Sequence, residues 1–487
     1  MNIFSFSGKI KILHMTWIAF FISFVVWFNH APLMLMIMTS MDLSESEVAI
    51  LLLLNFALPI PARIIIGIVV DRFGAKISYS TLLALCSLPC FAFAAAETFQ
   101  QLAWARFALG FVGAGFVIGI RMIGDWFPSR QVGIAEGLYG GWGNFGSAAA
   151  TLVLPGLALY FGAEQGWRYA IAVTGVLSLA YAFIYYQNVE DTPPHVPYLK
   201  PKRSGAIEVT SIRDLFFYIA TTVPLYAAMS LLTWKLSTPE ADLLSGSWVV
   251  AINLLIWVLF FFHAHRIVDI NADRLSGPID SIHRYSFKQV SILSVAYLMT
   301  FGSKLAVVSM LPIFFFTTYR ETQPISMIDA GLLSSSFIFM NLIARPAGGW
   351  LSDRIGRRFS LMIFMSGTAF GYFMMSFIAS DWPIYLTVTV TIICSIFIQA
   401  AEGAVFAIAP LIKRSITGQI AGIIGAYGNA GAIVFLVLMS MATPSIFFIG
   451  LGVCSVAALI LIYWLEEPKE FITEIMADGT LVKIELD

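Results

Sequence analysis

The stretches ALPIPARIIIGIVVDRFG (57–74) and FMNLIARPAGGWLSDRIG (339–356) decide how this chain folds. Each places an arginine, Arg63 or Arg345, inside an apolar run, eight residues before the aspartate of a Gly-x3-Asp-Arg-x-Gly motif. The motifs are Gly67, Asp71, Arg72, Gly74 and Gly349, Asp353, Arg354, Gly356. A cation on a helix crossing hydrocarbon is costly unless it is paired or lines a polar cavity. Eight helical residues span about 12 Å, so both arginines are expected near mid-membrane if the motifs mark a membrane surface. Two cations in matched positions point to a bound anion.

The rest of the chain agrees with that setting. Of 487 residues, 59% are hydrophobic and 12% charged, with a mean hydropathy of +0.84. A soluble globule carries about 25% charged residues, so the chain reads as an all-α polytopic membrane protein. A net charge of -1 gives no reason to expect nucleic acid. Cys86, Cys90, Cys394 and Cys454 lie in apolar runs, which argues for small buried hydrophobes rather than disulfides or a metal site. The first apolar stretch, from Trp17 to Met36 and beyond, is too long for a signal-peptide core and is expected to span.

A window of about 20 apolar residues places six spans in residues 1–190 and six more in 289–466. Between them, residues 191–288 read as a central linker with two inserted helices near 215–232 and 248–262, which makes about 14 spans. Residues 467–487 form a tail. Lys9, Lys11, Lys76, Arg130, Arg266, Lys413 and Arg414 fall on one side if the spans alternate, which assigns that side and both termini to the cytoplasm.

The two groups are repeats. Arg63 and Arg345, like Asp71 and Asp353, are 282 positions apart, and GLYGGWGNFG (137–146) recurs 285 positions later as GIIGAYGNAG (422–431), matching Asn144 to Asn429. Two pseudo-symmetric six-helix bundles indicate a transporter with its site between them, near the bilayer midplane. The guanidinium fork suits a planar oxyanion and keeps its proton, although pairing with a carbonyl or carboxylate from another helix is the competing reading. The glycines of the fifth and eleventh spans are explained by close helix packing. Asn144 and Asn429 serve equally well as packing glue or as substrate contacts. Pro61 and Pro346 are expected to kink the arginine helices.

The signatures GGWGNFG and GAYGNAG, joined to arginines in the second and eighth helices, resemble the nitrate/nitrite porter family of the major facilitator superfamily. The resemblance covers nearly the whole chain except the inserted pair. It implies that Arg63 and Arg345 hold the anion, that Asn144, matched by Asn429, contacts it, and that Phe116 and Phe301 sandwich it beside Tyr297. Flat apolar rings would exclude water and strengthen in-plane hydrogen bonds from arginine; taken singly, either phenylalanine reads as ordinary core. Asp71, Arg72, Asp353 and Arg354, with Arg357 and Arg358, resemble the superfamily's cytoplasmic gating motif, and Arg106 resembles a fourth-helix motif.

Lys304 in the seventh helix and Glu402 in the tenth also fall inside the membrane. Burial disfavours an ionised lone carboxylate, so Glu402 is a proton-coupling candidate; an ion pair with Lys304 is the equal alternative, and Arg121 is a third possible partner. The expectation is a nitrate permease of the inner or plasma membrane that works as a monomer by alternating access, with nitrite as second substrate. Proton symport is preferred, nitrate/nitrite exchange is the runner-up, and transport of another small anion follows. No nucleophile with a base, metal cluster or cofactor motif marks an enzyme, and His30 reads as a satisfied packing residue.

Overall fold

Each of the two arginine-bearing spans is broken into two helices. In the computed structural model, described for residues 3–162, 164–201, 205–239, 244–277, 284–323, 325–467, 471–475 and 481–485, the second span divides into α2 (Glu45–Ala57) and α3 (Pro59–Phe73). Pro59, at the first turn of α3, has no N–H for the carbonyl of Asn55. The indole Nε1 of Trp27 donates to that oxygen instead, at 3.2 Å. The eighth span breaks correspondingly, into α13 (Met327–Phe339) and α14 (Asn341–Ile355). The junctions, Leu58 and Met340, are again 282 positions apart, and each lies five residues before its arginine.

Twelve other helical segments among the described residues are long and apolar enough to cross a membrane. With the two broken spans they make fourteen. The first bundle comprises α1 (Gly8–Phe28, continued by a short helix to Met41), the broken α2 and α3, α4 (Ala75–Ala94), α5 (Phe99–Leu109) leading through a 3-10 turn into α6 (Gly115–Trp126), α7 (Ser129–Phe161) and α8 (Gly166–Asn188). The inserted pair is α9 (Ile212–Lys235) and α10 (Gly246–Leu275). The second bundle runs from α11 (Phe287–Tyr297), through a π turn (Leu298–Gly302), into α12 (Ser303–Tyr319). After α13 and α14 come α15 (Arg357–Ser376), α16 (Ile384–Ile412), α17 (Thr417–Met441) and α18 (Pro444–Ile462). In the tail, β1 (Phe471–Ile475) and β2 (Leu481–Glu485) form an antiparallel hairpin with Phe471 opposite Glu485.

The bundles cross-pack: α7 of the first lies on α14 of the second, and α17 of the second on α3 of the first. Glycine permits it. A Cβ on Gly137 would stand 2.7 Å from the carbonyl oxygen of Arg345, and one on Gly422 2.6 Å from that of Arg63. The inserted α9 docks on α11 and α17, where the Tyr427 hydroxyl donates to the carbonyl of Thr221 at 2.8 Å. α10 leans on α9 through Tyr226 and His263, and leaves Leu254, Phe261 and Phe262 exposed, as suits a helix facing lipid.

Two sequence expectations are corrected here. Cys454 is exposed, whereas Cys86, Cys90 and Cys394 are buried as small hydrophobes. His30 is buried with both ring nitrogens lacking a hydrogen-bond partner, so it is not a satisfied packing residue. Arg106 donates through Nη2 to the carbonyl of Trp27 and the side chain of Asn55, and its Nε and Nη1 are buried without a partner.

Candidate functional site

Each arginine projects from its half-helix against a glycine of the cross-packed helix: Arg63 against Gly425, Arg345 against Gly140. Both are 1% exposed, yet they are held differently. Arg63 donates through Nε to the carbonyl of Gly113 (3.3 Å) and through Nη1 to that of Gly425 (2.5 Å). With its amide oxygen turned inward, Asn429 accepts from the same two nitrogens at 3.2 and 3.3 Å.

Arg345 donates through Nη1 to Glu402 Oε2 at 2.9 Å. Lys304 Nζ donates to that oxygen at 2.8 Å and stands 2.7 Å from Oε1. The ion pair of Lys304 and Glu402 is therefore formed, and it extends to one of the two arginines. Sequence spacing did not reveal that extension, because α12, α14 and α16 meet only in the fold. Arg345 Nε and Nη2 have no hydrogen-bond partner, and neither has either amide atom of Asn144, which is 6% exposed. The matched asparagines thus differ: one is on an arginine, while the other presents open polar atoms. Arg63, Arg345 and Lys304 against Glu402 leave a surplus of two positive charges.

Aromatic rings close the space around these cations. The Phe116 ring centre lies 5.6 Å from Arg63 Cζ and 5.3 Å from Arg345 Cζ, within cation–π range of both. Phe301 lies 5.4 Å from Arg63 Cζ and 4.7 Å from Lys304 Nζ. Tyr297 stacks near-parallel with both phenylalanines, at 6.2 Å and 2° from Phe116 and 5.2 Å and 14° from Phe301. The Tyr297 side chain interacts with both guanidinium groups. A π turn links Tyr297 to Phe301, a local distortion frequent at functional sites.

Sequence reading missed three neighbours. Phe406 stands edge-on to Phe116 and Tyr297 at 4.7 and 4.8 Å, one turn beyond Glu402. Tyr139 donates to the carbonyls of Gly115 and Phe116 at 3.1 and 3.0 Å, fixing the Phe116 backbone. Glu136 is a buried carboxylate in mid-helix, detectable by the rule that singled out Glu402.

At the far ends of α3 and α14 the motif aspartates cap helices of the opposite bundle. Asp71 accepts from the backbone N–H groups of Gly418 and Gln419, both at 2.8 Å. Asp353 accepts from those of Gly133 and Ile134 at 3.1 and 3.0 Å. Gly418 and Gln419 open α17, so Asp71 meets unpaired donors and the positive end of the dipole, whereas Gly133 and Ile134 lie one turn inside α7. The cations on these carboxylates are Arg121 (3.3 Å from Asp71) and Arg357 (3.3 Å from Asp353). Arg72 lies over the Phe73 ring and Arg354 over that of Trp350. The idea that Arg121 partners Lys304 and Glu402 is corrected: near the end of α6 it binds Asp71 and Asp125.

The sequence profile of the Major Facilitator Superfamily matches residues 16–281 and 293–475. The chain is 41% identical over 515 residues to the nitrate/nitrite transporter NrtP of Picosynechococcus sp., covering 96% of this chain and 95% of that protein. It is 41% identical over 478 residues to NrtP of Nostoc punctiforme, covering 96% and 94%. Among solved structures, the human organic anion transporter MFSD10 shares the fold at 11% identity, with a TM-score of 0.59 over 94% of this chain and 100% of that one. The two-bundle fold, the paired arginines and these relatives agree: the chain belongs to the major facilitator superfamily and, within it, to the nitrate/nitrite porter family.

Proposed function

We propose that this protein carries nitrate, and nitrite as a second substrate, across the inner or plasma membrane by alternating access and as a monomer, with inward nitrate movement coupled to protons. The observation that carries the reading is Arg345 Nε and Nη2, buried without partners on a guanidinium that shares the Phe116 ring with Arg63; the buried amide of Asn144 is likewise without a partner. Each buried donor left unmade costs about 1–3 kcal/mol, and a planar oxyanion satisfies several at once. A planar ion between two rings needs about 7 Å, twice a carbon contact distance. The rings of Phe116 and Tyr297, 6.2 Å apart, must therefore part slightly to admit it.

In this reading Arg63, Arg345, Asn144 and Asn429 bind the anion in its plane, with Phe116, Phe301 and Tyr297 around it. Glu402 holds Arg345 in the conformation described above, and Lys304 keeps Glu402 compensated when Arg345 leaves it. Asp71 and Asp353, with Arg72 and Arg354 at the same helix ends, form the cytoplasmic gate. Both termini lie in the cytoplasm. Exchange of nitrate for nitrite is the second reading, favoured by the ion pairs that tie Glu402 to both Lys304 and Arg345.

Uptake into proteoliposomes at fixed voltage separates the readings. Symport predicts nitrate entry that rises with an inward proton gradient. Entry that ignores the gradient and rises with nitrite loaded inside establishes exchange.

A further inference from the structure

Glu136 lies on α7 in the run AEGLYGGWGNFG, one turn before Gly140, whose backbone abuts the Arg345 guanidinium. It is 1% exposed, and neither carboxyl oxygen has a hydrogen-bond partner. The other buried carboxylates among the described residues are all engaged. Asp71 and Asp214 accept backbone N–H groups, from Gly418 and Phe287 respectively, Asp125 accepts from Arg121, and Glu402 is held by Lys304 and Arg345. A carboxylate without water, donor or counter-ion costs several kcal/mol when ionised, and much less as the neutral acid.

The charge that acts on Glu136 is Arg345, from α14. The remaining buried or half-buried titratable groups on the packed elements have partners elsewhere: from α6, Arg121 binds Asp71 and Asp125, and from α8, Arg168 donates to the carbonyls of Ala94 and Ala96, Tyr181 to that of Met15, and Tyr185 meets the Thr16 hydroxyl. From α16, Glu402 is engaged with Arg345 itself. From α1, Lys9 donates to Gln131 and His14 accepts from Trp17. Asp353, at the far end of α14, caps Gly133 and Ile134. On α7 itself the Tyr139 hydroxyl is bonded to Gly115 and Phe116.

We propose that Glu136 is the proton-binding site of the transport cycle, protonated while Arg345 is held by Glu402 or by the anion and ionised when Arg345 turns to it. The proposal rests on the proton-coupled reading above and names its carrier. With the anion bound, Arg345 is neutralised and the proton on Glu136 is retained. Once the anion leaves, Arg345 turns to Glu136 rather than back to Glu402, which Lys304 still compensates, and the proton departs to water on that side. Linkage makes the effect reciprocal: whatever the anion adds to proton affinity, the proton adds to anion affinity.

The test follows protons with a pH indicator as nitrate is added to the purified full chain in weak buffer, alongside flux in proteoliposomes. Wild-type protein is expected to take up about one proton per anion bound, and Glu136→Gln none. Flux driven by a pH gradient should fall at least about tenfold more in Glu136→Gln than nitrate counterflow does. Proton uptake by Glu136→Gln equal to wild type overturns the proposal and leaves proton-coupled transport standing. A wild-type protein that takes up no proton overturns both, while counterflow still reports whether nitrate is carried. If Glu136→Gln binds no anion, Glu136→Asp decides: restored proton uptake supports the assignment, and anion binding without it refutes it.

Discussion

Lysine in place of either arginine keeps the charge and loses the fork. Arg63 uses Nε and Nη1 together, and Arg345 reaches Glu402 with Nη1 while keeping Nε and Nη2 open. A single ammonium cannot reproduce either set, so Arg63→Lys and Arg345→Lys are expected to abolish saturable nitrate uptake. Tracer flux against concentration checks this, and an unchanged half-saturation in either variant refutes bidentate binding. The arginines and asparagines were legible because polar groups in an apolar repeat stand out. Their asymmetry was not: Glu402 meets Arg345 across 57 positions and Lys304 across 98, separations at which sequence carries no distance.

At the scale of elements, each motif aspartate ties one end of a half-helix to backbone N–H groups in the first two turns of a helix from the other bundle. Asp71→Asn keeps one acceptor oxygen for two backbone donors and removes the charge that Arg121 meets at 3.3 Å. Losing charge-assisted bonds of about 1.5–3 kcal/mol each should shift the balance toward the state open on that face by tenfold or more. Thiol labelling of single cysteines lining that mouth measures the shift, and equal labelling in both proteins argues against a gate. The helix breaks at Leu58 and Met340 follow from a different rule. Pro59 explains the first directly, whereas the second precedes Pro346 by six residues, and we have no physical account of its register.

For the molecule as a whole, a ligand that binds the folded state alone stabilises it by RT ln(1 + [L]/Kd), about 2.7 kcal/mol at a hundredfold excess over Kd. Nitrate should raise the thermal unfolding midpoint of the wild-type protein in step with its concentration and leave that of Arg345→Lys unmoved. Equal shifts in both place the anion elsewhere. Composition, hydropathy and the 282- and 285-position offsets were enough to read an all-helical membrane protein of the major facilitator fold and to single out a matched pair of arginines. Lipid demands apolar spans wherever a helix crosses it, and duplication writes its register into the chain. Which helices cross-pack, which arginine is left with open donors, and which buried carboxylate lacks a partner were decided by tertiary structure alone. These depend on distances between helices, and glycine lets the backbones approach so closely that a single side chain determines who meets whom.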